Sequence, residues 1–367
     1  MLNALGFALV GVLGLVGVAA AITTADVPDP MAGAPTITDR GSDTITITWV
    51  GDTFLGDAAQ PHIDQHGIGW PSALLPPLDA QHVVIANLEG PITGRTEPFD
   101  PLQRWSYNSL PAAAEALSAM GINAISLANN HAMDRGPEGL YDTIASADMA
   151  GLSTFGAGQT SNEARLPLLI ESDVGLVGVL GFSDDDGPVT ATTDRPGVRR
   201  LSLKNLQRDI DAARASGVDR VIAAVHWGSN YTSLDSRQQT WADAFADAGY
   251  DMVIGTGPHV VQPIEVVNGM PVVFSLGNYV FGTPGRFPDR DSPDREGYGL
   301  VVTTSFTSSD EVALTVRCIQ TDNHVVNYQA RPCSHDEANV VLSAANPSLV
   351  VAGDSATMTL PLGPRSD

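Results

Sequence analysis

From residue 44 onward, short apolar runs alternate with longer segments whose apolar positions recur at helical spacing. Residues 44–50, TITITWV, alternate threonine with apolar side chains, and that period of two predicts a strand. The runs at 83–86, 123–128, 220–225, 251–255 and 270–277 read as further strands, and 167–172 with 175–182 as a strand pair. Segments 111–121 and 136–151 start near a proline and stop at a glycine, the punctuation of a helix. Residues 202–217 open on a capping Ser202 and set Leu203, Leu206, Ile210 and Ala213 on one face, and 236–249 reads as another helix. Late strands are expected at 298–306, 312–319 and 324–330, a Pro-, Asp- and Arg-rich surface loop at 282–297, and a loose tail after 340. Strands alternating with helices of about ten to fifteen residues point to an α/β fold with mainly parallel sheet.

Residues 4–22 form a stretch of nineteen residues with no polar side chain, about the length that crosses a bilayer as a helix. With the polar, proline-bearing segment behind it, this reads as an N-terminal membrane anchor, the alternative being a signal peptide cut near Ala19-Ala20-Ala21. Either way the globular part is expected outside the cytoplasm. The expected divisions are 1–25 (anchor or signal), 26–42 (linker), 43–306 (main domain) and 307–367 (C-terminal strands and tail). A net charge of −23 with Lys204 as the single lysine excludes nucleic acid as a partner, because phosphate neutralisation needs clustered cations. Cys318 and Cys333, fifteen residues apart, make either a disulfide suited to an exported chain or two buried thiols.

The chemistry gathers where the apolar runs stop. Five of them end in Gly51-Asp52, Asn87-Leu88-Glu89, Asn129-Asn130-His131, His226 and Gly257-Pro258-His259. The carboxyl ends of parallel strands line one edge of a sheet, where ligands bind, so these residues are expected to converge. Asp52, Glu89, Asn130, His226 and His259 then form a mixed oxygen and imidazole set that suits Mn²⁺, Fe²⁺ or Zn²⁺, as one ion or two. His131 need not bind metal. Asp134, three residues on, is placed to orient it as a general acid for a leaving group. Each strand end taken alone is a plausible turn, and it is their recurrence that argues for a site.

At these same residues the chain resembles the CapA/PgsA family, named for capsule and poly-γ-glutamate synthesis, whose domain is similar to the calcineurin-like metallophosphoesterases. The matching stretches are VGDTFLGD (50–57), ANLEGPIT (86–93), SLANNHAMDRGPEGL (126–140), FGAGQTSNEAR (155–165), VHWGSNY (225–231) and the segment 251–282. The resemblance implies a four-layer α-β-β-α sandwich with a metal site at one edge of the sheets. It implies Asp52, Glu89, Asn130, His226 and His259 as metal ligands and His131 as the residue that assists the leaving group. It also places Asn278, in SLGN (275–278), near the site as a ligand contact or a tight turn. The chain departs from the family where relatives carry His-Pro-His: here Gly257 precedes Pro258, and Thr256 is not a histidine. That leaves the second ion open. His62 and His66 receive no role, and the aspartates of FSDDDG (182–187) read as a solvated loop.

Three functions follow as expectations. One is an exported metal-dependent hydrolase acting on a phosphate ester or other cell-envelope substrate. Another is a non-catalytic, membrane-anchored component that binds or exports an acidic polymer with membrane partners. The third is a peptidase or amide hydrolase on the same centre. Arg95, Arg104, Arg199 and Arg200 are the candidates for offsetting the repulsion between an acidic chain and an acidic polymer.

Overall fold

Two sheets carry the structure, which is a computed structural model describing residues 29–39, 43–185, 187–285 and 297–363. The seven-stranded sheet runs in the order β1 (Thr36–Thr38), β7 (Leu168–Ser172), β8 (Gly175–Ser183), β10 (Arg220–His226), β11 (Met252–Thr256), β13 (Met270–Val273), β12 (Ile264–Val267). The ten-stranded sheet runs β18 (Val350–Ala352), β19 (Ser355–Pro361), β16 (Glu311–Gln320), β15 (Tyr298–Phe306), β2 (Ile45–Phe54), β3 (Val83–Leu88), β4 (Ala124–Ser126), β5 (Ser153–Phe155). Off that path β14 (Asn278–Phe281) pairs with β2 and β17 (Arg331–Pro332) with β16, while β6 (Ala157–Gly158) and β9 (Gly197–Val198) form a small ribbon. The fold is mixed α/β with several sheets. Among the strands, parallel pairing joins β2–β3–β4–β5, β14–β2, β8–β10–β11–β13 and the edge pair β1–β7, and the other strand pairs are antiparallel.

The helices are α1 (Gln60–His66), α2 (Ala112–Ala119), α3 (Gly136–Met149), α4 (Ser161–Ala164), α5 (Leu203–Ala215), α6 (Ser236–Ala248), α7 (Asn323–Val326) and α8 (His335–Ala345). Their ends follow the local chemistry. Ser202 caps α5 by accepting from the Asn205 amide, and Asp235 with Gln238 makes a reciprocal cap on α6, which Gly249 closes at φ 90°. One apolar core lies between the sheets, where Ile47, Trp49 and Ile85 meet Ile170, Val179, Ile222 and Ile254. A second joins the outer face of the ten-stranded sheet to α2 and α3, and a third joins the seven-stranded sheet to α5 and α6. β3 is buried at every residue, which is why it reads as an unbroken apolar run instead of an alternating one.

Several expectations are corrected. Residues 324–330 form no strand: Asp322 caps the single turn α7 through the His324 amide, and Asn327 and Tyr328 then adopt left-handed φ of 50° and 61°. The stretch after 340 is no loose tail. It begins inside α8, which buries Val341, Leu342 and Ala345, and β19 then pairs along β16 from Glu311 to Arg317. Residues 36–38 of the expected linker are β1, paired to β7. Cys318 and Cys333 are joined as a disulfide. The run 4–22 and most of the 282–297 loop lie outside the described residues, and among the described residues no helix is long and apolar enough to cross a membrane.

Candidate metal centre

The strand run expected at 270–277 divides in two. Its first half is β13 in one sheet, and by Asn278 the chain has entered β14 in the other, so residues 274–277 cross between the sheets. The crossing presses on β2, where the Gly277 carbonyl accepts from the Asp52 amide at 3.0 Å. A β-carbon at Gly51 would run into that carbonyl, so the glycine before Asp52 is required by close approach. The pairing of β2 shifts register at this point, which leaves Asp52 opposite Asn87 on β3 and Asn278 on β14.

Asp52, Glu89, His131, His226 and His259 come together from the strand ends of both sheets, while Asn130 makes no side-chain contact with them among the described hydrogen bonds and ion pairs. Asp52, Glu89 and Asn129–His131 come from β2 and the ends of β3 and β4; His226 ends β10 and His259 follows β11. Asp52, Glu89 and His226 each offer a ligand atom within 4.8 Å of the others, all buried, and this group could hold a metal ion. His259 bridges the two carboxylates, with Nδ1 3.3 Å from Asp52 Oδ2 and Nε2 3.6 Å from Glu89 Oε1. Its Nδ1 donates to Asn278 Oδ1 at 2.9 Å, so the structure places Asn278 as the orienter of His259. Asp52 Oδ1 accepts from Asn87 at 2.8 Å and its Oδ2 from the Gly257 amide at 3.1 Å.

Burial dominates the electrostatics. It pushes Glu89 up to about 7, helped by the Asp52 charge and opposed by His259 and His131. It pushes His226 down to about 4, against the pull of Asp52, which leaves that imidazole neutral with a lone pair to give. Burial also works to lower His259, but the Glu89 charge and the Asp52 contact outweigh it and raise it to about 9. Asp52 is held below the usual carboxylate range: burial would raise it, and the His259 bond and charge prevail.

Two polar atoms stand out. Glu89 Oε2 and Asn130 Oδ1 are buried with no hydrogen-bond partner among the described residues. Each orphan costs about 1–3 kcal/mol, which a cation would relieve. Oxygen donors, a neutral imidazole and an orphaned carboxylate oxygen together fit a divalent ion. Backbone strain gathers here too, with His259 at φ 60° and nearby Tyr231 at φ 58°, each worth about 1–3 kcal/mol.

His131 stands at the rim of this group. Its Nδ1 bonds Asp134 Oδ2 at 2.7 Å and its Nε2 lies 3.7 Å from Glu89 Oε1. Burial lowers its affinity for a proton, but the bond to Asp134 and the charges of Asp134 and Glu89 raise it above the ordinary value. Asp134 Oδ2 also accepts from the Tyr107 amide at 2.6 Å, and Oδ1 from Gln103 at 2.9 Å. The Tyr107 ring stacks on the imidazole at 4.1 Å between centroids.

Sequence reasoning missed three of these residues. Asn87 holds Asp52 and lies 3.2 Å from His226 Nδ1; Asn129 donates to Asn87 Oδ1 and to the Leu88 carbonyl and accepts from the His131 amide; Tyr107 covers His131. The two asparagines were visible as polar residues ending apolar runs, whereas Tyr107 lay in a segment with no pattern. Of the candidate arginines, Arg95 pairs with Asp142 and Glu138 and Arg199 with Asp209, while Arg104 lies over Trp105, which lines the cleft beside His131.

Compared with known proteins, residues 46–283 match the family described as bacterial capsule synthesis protein PGA_cap. The chain is 30% identical over 254 residues to the PGA biosynthesis protein CapA of Bacillus subtilis, covering 68% of this chain and 67% of that one. It is 31% identical over 252 residues to the capsule biosynthesis protein CapA of Bacillus anthracis, covering 66% and 61%. It is 34% identical over 215 residues to a probable polyglutamine synthesis accessory protein of Mycobacterium tuberculosis, covering 55% and 56%. The chain thus spans about two thirds or less of the length of these relatives.

Proposed function

The chain belongs to the bacterial capsule synthesis family, and from that premise we propose that it is an exported, divalent-metal-dependent hydrolase acting on a phosphate ester of the cell envelope. The observation that carries this reading is His131, held by Asp134 on one nitrogen at 2.7 Å and turned toward the buried carboxylate group on the other. A chain that only binds polymer has no use for an imidazole so oriented. The fold type that goes with this reading is the four-layer α-β-β-α sandwich of metallophosphoesterase-like type, supported by the three cores stacked through two sheets. Export, by an anchor or a cleaved signal, is supported by the apolar run 4–22.

In this mechanism Asp52, Glu89, His226 and His259, with Asn130, would hold one or two ions of Mn²⁺, Fe²⁺ or Zn²⁺. The bound ion's contribution is Lewis acidity toward the substrate's oxygens and a more acidic water. His226, neutral by burial, offers its lone pair. Asn87 and the Gly257 amide fix Asp52 in place, and Asn278 fixes His259. His131 keeps a proton at Nε2 while Nδ1 stays bonded to Asp134, and it gives that proton to the leaving oxygen.

The relatives' names, PGA biosynthesis and polyglutamine synthesis, favour a second reading in which the substrate is an envelope polymer and the bond cleaved is an amide. One assay separates the two. The purified chain and His226→Ala are dialysed free of metal, reloaded with Mn²⁺ or Zn²⁺, analysed for metal, and offered phosphodiesters, phosphomonoesters and γ-glutamyl amides. Metal retained by the chain and lost from the variant, with ester turnover, supports the first reading, and amide turnover supports the second. No metal uptake would end both and leave a polymer-binding component with membrane partners.

A further inference from the structure

Between His226 and α6 the chain crosses the segment that carries His259. Residues 228–235 form this strap, and it is fastened on either side of that histidine. The Tyr231 amide donates to the Pro258 carbonyl at 2.7 Å, one residue before His259. The Thr232 carbonyl accepts from Gln262 Nε2 at 3.1 Å, three residues after it. Tyr231 takes a left-handed φ of 58°, and its ring lies 5.2 Å from the His259 imidazole between centroids.

The second fastening depends on two fully buried glutamines. Gln238 Nε2 donates to Gln262 Oε1 at 2.7 Å, and Gln262 Nε2 returns a bond to Gln238 Oε1 at 3.2 Å. The two hydrogens on Gln262 Nε2 are therefore taken up by Gln238 and by the Thr232 carbonyl. Gln238 Oε1 also accepts from the Asp235 amide at 3.3 Å, within the cap of α6. The space is closed as well: Gly228 sits at φ 77°, and a β-carbon there would lie 2.7 Å from the Gln238 carboxamide carbon. Buried amides are costly unless their polar atoms are satisfied, so this pair favours one arrangement strongly over others.

His259 has need of such holding. At φ 60° it lies in a region that L side chains rarely adopt, and relaxation of its backbone would swing the ring away from Asp52 and Glu89. Strain of this kind persists only where the surroundings over-determine it. Asn278 bonds one ring nitrogen, which orients the ring but leaves φ free. Bonds to residues 258 and 262 restrain the chain on both sides of the strained residue.

We propose that Gln262 is a positioning residue for the metal centre. Through Thr232 it holds the strap against the chain around His259, and so keeps that imidazole on the two carboxylates. The proposal rests on the metal-centre reading for its consequence, but the placing of the ring can be read without an ion. The two glutamines have unequal parts: Gln262 reaches the strap's Thr232 carbonyl, whereas Gln238 steadies Gln262 and the start of α6.

The test compares Gln262→Met, Gln238→Met and the double variant with the unaltered full chain. Methionine keeps the reach of the side chain and removes its amide, so each single variant breaks the same reciprocal pair. Mn²⁺ affinity is measured by calorimetry with Tm alongside, and the histidine ring nitrogens are observed by NMR on metal-free chain. Gln262→Met should weaken Mn²⁺ binding about tenfold, the low end for loss of a group that orients a ligand, and should move the His259 signals. Gln238→Met should lose a similar amount of Tm yet keep most of its affinity and leave those signals in place. The double variant, apolar on both sides, should recover Tm but bind as weakly as Gln262→Met, and it carries the test if a single variant fails to fold. Equal losses of affinity in the two single variants would overturn the proposal, since the pair would then act through stability alone. Unaltered affinity in Gln262→Met or in the double variant would overturn it too. If the unaltered chain takes up no Mn²⁺, the metal reading falls and the His259 signals decide. Moved by Gln262→Met and not by Gln238→Met, they uphold the positioning role; moved by both or by neither, they end it.

Discussion

Asp134 Oδ2 lies 2.7 Å from His131 Nδ1, and this one oxygen also receives the Tyr107 amide. The imidazole is thus fixed in tautomer and tilt by a carboxylate that is itself locked. His131→Ala is expected to cut hydrolysis by about 100- to 10,000-fold, the usual worth of a positioned general acid, with metal content retained. Asp134→Asn should do less damage but move the pH profile. Asp134 raises the proton affinity of His131, so without it the alkaline fall in activity should begin at lower pH. An unchanged alkaline limb would remove His131 from the role of acid.

Metal uptake should itself depend on pH. Glu89 is pushed up to about 7 and His259 to about 9 in the metal-free site, so both must lose protons as a cation enters. Affinity should therefore climb as pH rises from 6 toward 9, with proton release detectable by calorimetry in buffers of different ionisation enthalpy. Glu89→Gln should remove the lower part of that climb along with most of the affinity. Flat affinity across the range would show that these groups do not face the ion.

The missing histidine at 257 is a matter of backbone. Gly257 sits at φ 110°, and a β-carbon there would strike the Trp227 carbonyl. Gly257→His should destabilise the chain by about 1–3 kcal/mol, and so lower Tm by several degrees, without adding a second equivalent of metal. A variant that kept its Tm and bound an extra ion would show that the loop can rearrange.

Away from these residues, Arg331 holds Glu337 bidentately, with both contacts at 2.8 Å, and drives that carboxyl from its ordinary 4.5 down to about 2. A depressed carboxyl adds stability that is complete above pH 4.5 and disappears as pH falls toward 2. The Tm gap between the chain and Arg331→Ala should therefore be largest near neutrality and close in acid. Both side chains are partly exposed, at 33% and 23%, so solvent screening should keep the gap modest and salt should shrink it. A gap that widened in acid would contradict the assignment.

The site was more legible than the scaffold. Each candidate ligand sits where an apolar run gives way to a polar residue, a signal carried by a handful of adjacent positions. What those positions do not carry is sheet membership. The run at 270–277 gives no local sign that it leaves its sheet after Val273, because burial continues unbroken through to Gly277. Asn87 looked like the start of a turn, although it lies within β3 with its side chain on Asp52. The apolar residues of 324–330 suggested a strand, but Asp322 captured the backbone first. The segment that forms β19 reads as part of a polar tail although its buried Ala356 and Leu360 do alternate, because threonines fill the exposed positions.

The donors are divided between two sheets that share no strand: Asp52 and Glu89 hang from one, His226 and His259 from the other. A cation seated among them would act as a rivet through two plates. Slippage of one plate over the other by a single residue would carry Asp52 and Glu89 together away from His226 and His259. The centre would then fail all at once, as a joint shears, instead of loosening ligand by ligand. Substitutions in the apolar layer between the plates, far from any donor, would be felt first as lost grip on the ion.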